Sequence, residues 1–99
     1  MLVATDPCET IGKELIPGLH FAPDDVLPTE AARKLRRFDA ERAGALGNNY
    51  HGKLDIYFRT ADGRTKRVQT TVWAVHEEFI TLKAGITLPL RAVLGFDFY

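Results

Sequence analysis

The hydrophobic period of this chain changes once, near Tyr50, and that change restricts the fold more than any other feature. Before it, apolar residues recur every three or four positions; after it, they alternate. Leu54, Ile56 and Phe58 interleave with Asp55, Tyr57 and Arg59, the pattern of a strand with one face in a core. Asp62-Gly63 follows and reads as a tight hairpin, because glycine accepts the positive φ such a turn requires. A second strand is expected over 65–75. It is apolar on both faces near its end (Val72, Trp73, Ala74, Val75), so it should bend into a second layer or be covered by a helix. Glu77-Glu78 is a polar break before a third strand at 79–83, and Ala84-Gly85 reads as a second hairpin. A fourth strand at 86–88 is stopped by Pro89, which cannot donate to a ladder. A single 3-10 turn at 90–94 leads to a terminal strand at 96–99, with Phe96 and Phe98 on one side.

The preceding half is less regular. Asp6-Pro7-Cys8-Glu9 has the capping residue, proline and carboxylate of a helix start, and Cys8, Ile11 and Leu15 then fall on one face. Pro17-Gly18 ends this short helix, and 19–27 is an irregular, proline-bearing connection. Thr29 caps a second helix beginning at Glu30 and running to about Ala43, with Gly44 and Gly47 bracketing its exit. Its apolar stripe is narrow, Ala31, Leu35 and Phe38 with Arg42 one turn on, and is expected to cover one end of the sheet.

The expected fold class is α+β in one domain, 1–99. An acidic N-terminal helical arm (1–28) and a helix (29–46) precede an antiparallel meander of four to five strands (50–99). The meander is expected to close as a small SH3-like or Sm-like barrel, the alternative being a flat meander capped by the helix. The run Thr70-Thr71-Val72-Trp73-Ala74, followed by Leu82-Lys83-Ala84-Gly85 and Pro89-Leu90, resembles a group of small uncharacterised bacterial proteins with a TTVWA…LKxGxxxPL pattern. The second half is similar to the end of SH3-like and Sm-like small barrels. The resemblance implies a fold and no activity.

Charge divides the functional readings. The 13 basic and 13 acidic residues cancel, unlike the basic balance of an obligate nucleic-acid coat. The zero is uneven, however. Asp6, Glu9, Glu14, Asp24 and Asp25 against Lys13 leave −4 on residues 1–28, so the remainder carries +4. The arm is expected to fold over its own domain or to compete with an acidic partner. Arg33, Lys34, Arg36 and Arg37 on the helix, with Arg64, Lys66 and Arg67 at the first hairpin, supply cations for phosphates, and Trp73 or Tyr57 supplies a stacking face. Together they make a weak, non-specific nucleic-acid surface the alternative function. The leading reading is a protein-interaction or self-associating domain with Phe96, Phe98 and Tyr99 in its interface. No enzyme, cofactor or metal is expected. His76-Glu77-Glu78 lacks the second histidine of a metalloprotease helix, His20, His51 and His76 are isolated, and Cys8 lies on an apolar stripe. The opening residues lack the basic start of a secretion signal, no window suits a membrane span, and one cysteine fits a reducing compartment. A cytoplasmic location is the expectation.

Overall fold

The computed structural model describes residues 8–50 and 52–98, with side chains left out at 48–50. Among these residues are one α-helix, α1 (Glu30–Tyr50), and seven strands: β1 (Glu9–Ile11), β2 (Leu54–Arg59), β3 (Thr65–Thr70), β4 (Val72–Val75), β5 (Phe79–Leu82), β6 (Thr87–Pro89) and β7 (Val93–Asp97). They form two open sheets, ordered β1-β3-β2-β7 and β4-β5-β6.

The alternation in the second half builds the core directly. Ile56 and Phe58 are fully buried and Leu54 nearly so, and Val68, Val72, Ile80, Leu82, Leu88 and Val93 meet them from the other strands. Burying a side chain such as Phe58 contributes roughly 2–3 kcal/mol. β2 and β3 pair antiparallel from Leu54↔Thr70 to Arg59↔Thr65. Their connection, 60–64, is longer than the two-residue hairpin expected. The Thr60 amide donates to the Arg64 carbonyl at 3.0 Å, and Gly63 takes φ 85°. Asp62 fastens this turn by accepting from the Thr60 hydroxyl and the Arg64 amide. The Thr60 hydrogen bond, with the Arg64 amide behind it, holds the Asp62 carboxyl below its ordinary pKa.

The long strand expected at 65–75 is split at Thr71, where the chain leaves one sheet and enters the other. Thr71 is buried, and its hydroxyl donates to the Gly52 carbonyl while its own carbonyl accepts from Lys83. Two corrections follow. Among the described residues no barrel closes: β7 pairs with β2 only and β6 with β5 only, so the sheets share no ladder. Instead α1 packs against β4 and β7, one strand from each sheet, and the 3-10 segment Lys13–Gly18 bridges β3 and β6, burying Ile16. Helical segments thus occupy the seams that strand pairing would have had to close.

The second correction concerns the arm. The helix is not N-terminal: Glu9–Ile11 is a strand, parallel to β3, so the neighbours are not all antiparallel. The helix expected up to Pro17-Gly18 would be only about three turns with Gly12 in its middle, too short and too weak to repay nucleation, and only its second part, Lys13–Gly18, is helical, as a 3-10 segment. Pairing with β3 offers backbone hydrogen bonds, and there Lys66 donates to Glu9 and Arg67 to the Thr10 hydroxyl. That lysine hydrogen bond and charge hold the Glu9 carboxyl below its ordinary pKa. The proposed capping pair Asp6-Pro7 lies outside the described residues.

α1 reverses the expected facing. Its packed side is Arg36, Ala40, Ala43, Gly44 and Gly47, all buried. Leu35 and Phe38, expected to cover a sheet, are 61% and 64% exposed. Phe38 is two residues, about 200° of helical rotation, from Ala40, so both cannot face the core. Gly47 explains the choice. A Cβ there would lie 2.1 Å from the Val72 carbonyl oxygen, so the helix and β4 are in backbone contact at a point only glycine allows. The glycines expected to end the helix therefore lie within it.

Candidate functional site

The acidic arm reaches the basic helix through one carboxylate. Asp25 accepts two hydrogen bonds from Arg36, Nη1 to Oδ1 at 2.8 Å and Nη2 to Oδ2 at 2.7 Å. The Leu27 amide also donates to Oδ1 at 2.8 Å, and Arg33 stands 3.5 Å from Oδ2. The same Arg36 Nη1 donates to the Val93 carbonyl on β7 at 3.1 Å. A planar guanidinium thus ties the arm, the helix and β7 together in the bidentate geometry that suits carboxylates. The Arg36 hydrogen bonds hold the Asp25 carboxyl below its ordinary pKa against the opposing effect of burial.

The other cations of the expected nucleic-acid surface are also engaged. Lys34 pairs with Glu30, and Arg64 with Asp62. Arg37 pairs with Glu41 and donates to the His76 and Glu77 carbonyls. Lys66 is bound to Glu9, and Arg67 to Thr10 and to the Tyr57 phenol oxygen, whose hydrogen bond raises the Arg67 pKa. Arg33 and Arg36 are gathered by Asp25, whereas Arg67 and Lys66 sit on β3, held by β1. Trp73 is exposed on β4, and His76 stacks on Phe79 at 4.3 Å beyond that strand's end.

The expected aromatic interface divides. Phe96 packs against the core from β7, and Phe98 lies beneath Arg42, whose guanidinium carbon is 4.2 Å from its ring centroid. Tyr99 and His51 lie outside the described residues.

Beside Phe96 the surface opens into a groove of about 220 Å³, lined by Leu35 and Asp39 of α1, Tyr57 of β2, and Leu94, Gly95, Phe96 and Asp97 of β7. Its shape follows from the ladder. Tyr57 pairs with Gly95 but Phe58 pairs with Val93, so Leu94 is an extra residue, a β-bulge at the sheet's edge. Ile56↔Phe96 puts Phe96 on the core face, while Tyr57↔Gly95 and Asp55↔Asp97 lie on the outer face. Gly95 has no side chain to fill the outer face there, and Asp97 stands across from Asp55, which is buried and interacts electrostatically with Arg67. Among the described residues, neither Asp39 nor Asp97 forms an ion pair. The groove is smaller than the roughly 300–1,000 Å³ typical of small-molecule sites, and suits side chains better than a cofactor.

A broader depression of about 390 Å³, lined by Gly18, Leu19, His20, Thr60, Ala61, Asp62 and Lys66, lies at the other end. Its charged groups are already paired, Lys66 with Glu9 and Asp62 with Arg64. Among the described residues no three histidine, cysteine, aspartate or glutamate side chains converge as a metal site would require, and no helix is long and apolar enough to cross a membrane.

Sequence reasoning missed Leu35 as a surface residue, and missed Asp39, Gly95 and Asp97 altogether. The available signal was the doublet Gly44 and Gly47: two glycines one turn apart on an otherwise strong helix mark the side that approaches a backbone, and so free the opposite side. No family model matches the chain, and no match was found among curated proteins or solved structures.

Proposed function

We propose that this chain is a non-catalytic, cytoplasmic interaction domain that binds a protein partner, or a second copy, through the outer face of α1 and the adjoining groove. One observation carries the reading. Leu35 and Phe38 are 61% and 64% exposed on neighbouring turns, and Leu35 continues into a groove walled by Phe96 and Leu94. Single exposed apolar residues are ordinary, but a contiguous patch on a small domain marks an interaction surface. The helix has no folding reason to carry large residues there, since it docks through glycine and alanine.

The nucleic-acid alternative is less well supported. Each of its seven cations already has a carboxylate, carbonyl or hydroxyl partner, so phosphates would have to displace interactions the fold uses. The reading is tested with a photo-crosslinking phenylalanine analogue at position 38, and a control at exposed Lys83 on the opposite sheet. Adducts from position 38 in cells expressing the chain, absent from the control, are expected. Absence of adducts from position 38 overturns the reading.

A further inference from the structure

We infer that α1 pairs antiparallel with α1 of a second copy, so that the two exposed helix faces cover each other in a homodimer. This rests on the interaction reading above and names the occupant of that face.

The spacing of the exposed residues selects a helix as the occupant. Ala31, Leu35, Phe38, Arg42 and Ala45 are all exposed, and they follow one another at four, three, four and three positions. That is the 3.5-residue period with which one helix seats its side chains between those of another. At about 100° of rotation per residue they lie within a strip roughly 80° wide, opposite the glycines and alanines of the packed side. The strip runs about 21 Å along the axis. Its centre holds the two large residues, Leu35 and Phe38, 61% and 64% exposed.

The charges beside the strip select a second copy and fix its direction. Lys34 and Glu41 flank the same side of it. Both are exposed, and their partners stand one turn away on the same helix, Glu30 at 3.7 Å from Lys34 and Arg37 at 3.4 Å from Glu41. Exposed pairs of this kind contribute little and exchange readily. With a second α1 laid antiparallel so that Leu35 meets Phe38, a two-fold axis places Lys34 of each copy beside Glu41 of the other. Glu30 lies farther round the helix, behind Lys34. The same register sets Arg42 across from Ala31, a small residue that leaves the guanidinium in place over Phe98, and sets Asp39 across from Ala32. A parallel pair would instead bring Arg42 against Arg42 at the seam. The face is thus complementary to itself when turned end for end, the condition that a two-fold interface imposes. A seam this short is at the small end of specific interfaces, so a dissociation constant of about 10–100 µM is expected.

Sedimentation equilibrium of the full chain, from about 1 µM to about 1 mM, tests this. Phe38→Glu is expected to weaken the dimer about a hundredfold or more. Lys34→Glu and Glu41→Lys each turn two attractive contacts into repulsive ones, and each is expected to weaken it about tenfold. An equimolar mixture of those two variants, or a chain carrying both substitutions, restores opposite charges across the seam. Either is expected to regain the parent's affinity to within about threefold. Neither restores the Lys34–Glu30 and Arg37–Glu41 pairs within the helix, so the recovery reports contact between copies. The substituted side chains are exposed, and unfolding midpoints are expected to stay close to the parent's. A monomer throughout, a dimer indifferent to Phe38→Glu, or a mixture that stays monomeric overturns the inference. A dimer that Glu41→Lys leaves intact is not in this register and overturns it too. Adducts from position 38 to a different protein, with no self-association, remove this inference alone; no adducts and no dimer remove the interaction reading as well.

Discussion

On the inner face of α1, Ala40, Ala43, Gly44 and Gly47 bring the helix against β4 and β7; on the outer face, Leu35 and Phe38 stand in solvent. The two faces are built from residues of opposite size, and the smaller ones do the packing. A helix that approaches a strand at backbone distance gains dispersion contacts along its whole length, and large side chains on that face would hold it away. The difference teaches that apolar periodicity locates a helix but does not by itself say which stripe is buried. Closeness of approach decides, and the large residues are then left for another purpose.

The sharpest way to break this comparison is Gly47→Val. Its Cβ would lie 2.1 Å from the Val72 carbonyl oxygen and its branches near Thr71, where neither backbone can yield. A loss of about 3 kcal/mol is expected in urea unfolding. Asp25→Ala comes next. It leaves the buried Arg36 without its bidentate partner, and a loss of about 2 kcal/mol is expected, discounted for the partial exposure of the carboxylate. The parent's acid response follows from the same pair. Because Arg36 depresses the Asp25 pKa, its contribution is complete above the unfolded value, about 3.9, and is lost as pH falls through the folded value. Unfolding midpoints measured below about pH 4 should therefore fall less steeply in Asp25→Ala than in the parent, with Glu9 and Asp62 sustaining the remaining slope.

Smaller effects sharpen it. Ala84 sits in the β5–β6 turn at φ 69°, a conformation that disfavours any residue with a Cβ, so Ala84→Gly should raise stability by up to about 1 kcal/mol in the same urea series. Phe38→Ala should change stability by less than about 0.5 kcal/mol, because its ring has little packing to lose. It should nevertheless diminish partner capture at the neighbouring position 35, an effect on binding without one on folding.

The strands were the legible part of this chain. β2, β3 and β5 follow from period-two alternation and from Asp62-Gly63, whereas β6 runs through the Pro89 expected to stop it, and β7 begins at Val93, inside the stretch expected to be a 3-10 turn. β1 was illegible because three residues pairing in parallel with a strand far along the sequence carry no local pattern. Barrel closure was expected because hairpins and a 3-10 turn are features that open sheets share; only α1 and Ile16 at the seams decide between them. In the site, Phe96 could be named from the aromatic residues at 96–99, but Leu35 was expected to cover one end of the sheet and is exposed instead. Gly95 and the bulge at Leu94 acquire meaning only through the register of β7 with β2, which residue order alone does not contain. The Asp25–Arg36 pair lies between these cases: the opposed charges were visible, and their contact was one of two arrangements.

Solvent exposure of the two helix faces tests the central claim most directly. In the dilute protein, a soluble gadolinium chelate should broaden the NMR signals of the Leu35 methyls and the Phe38 ring, and spare the methyls of Ala40 and Ala43, which are fully buried. The reverse pattern, with Leu35 and Phe38 protected and the alanine methyls broadened, would contradict the account.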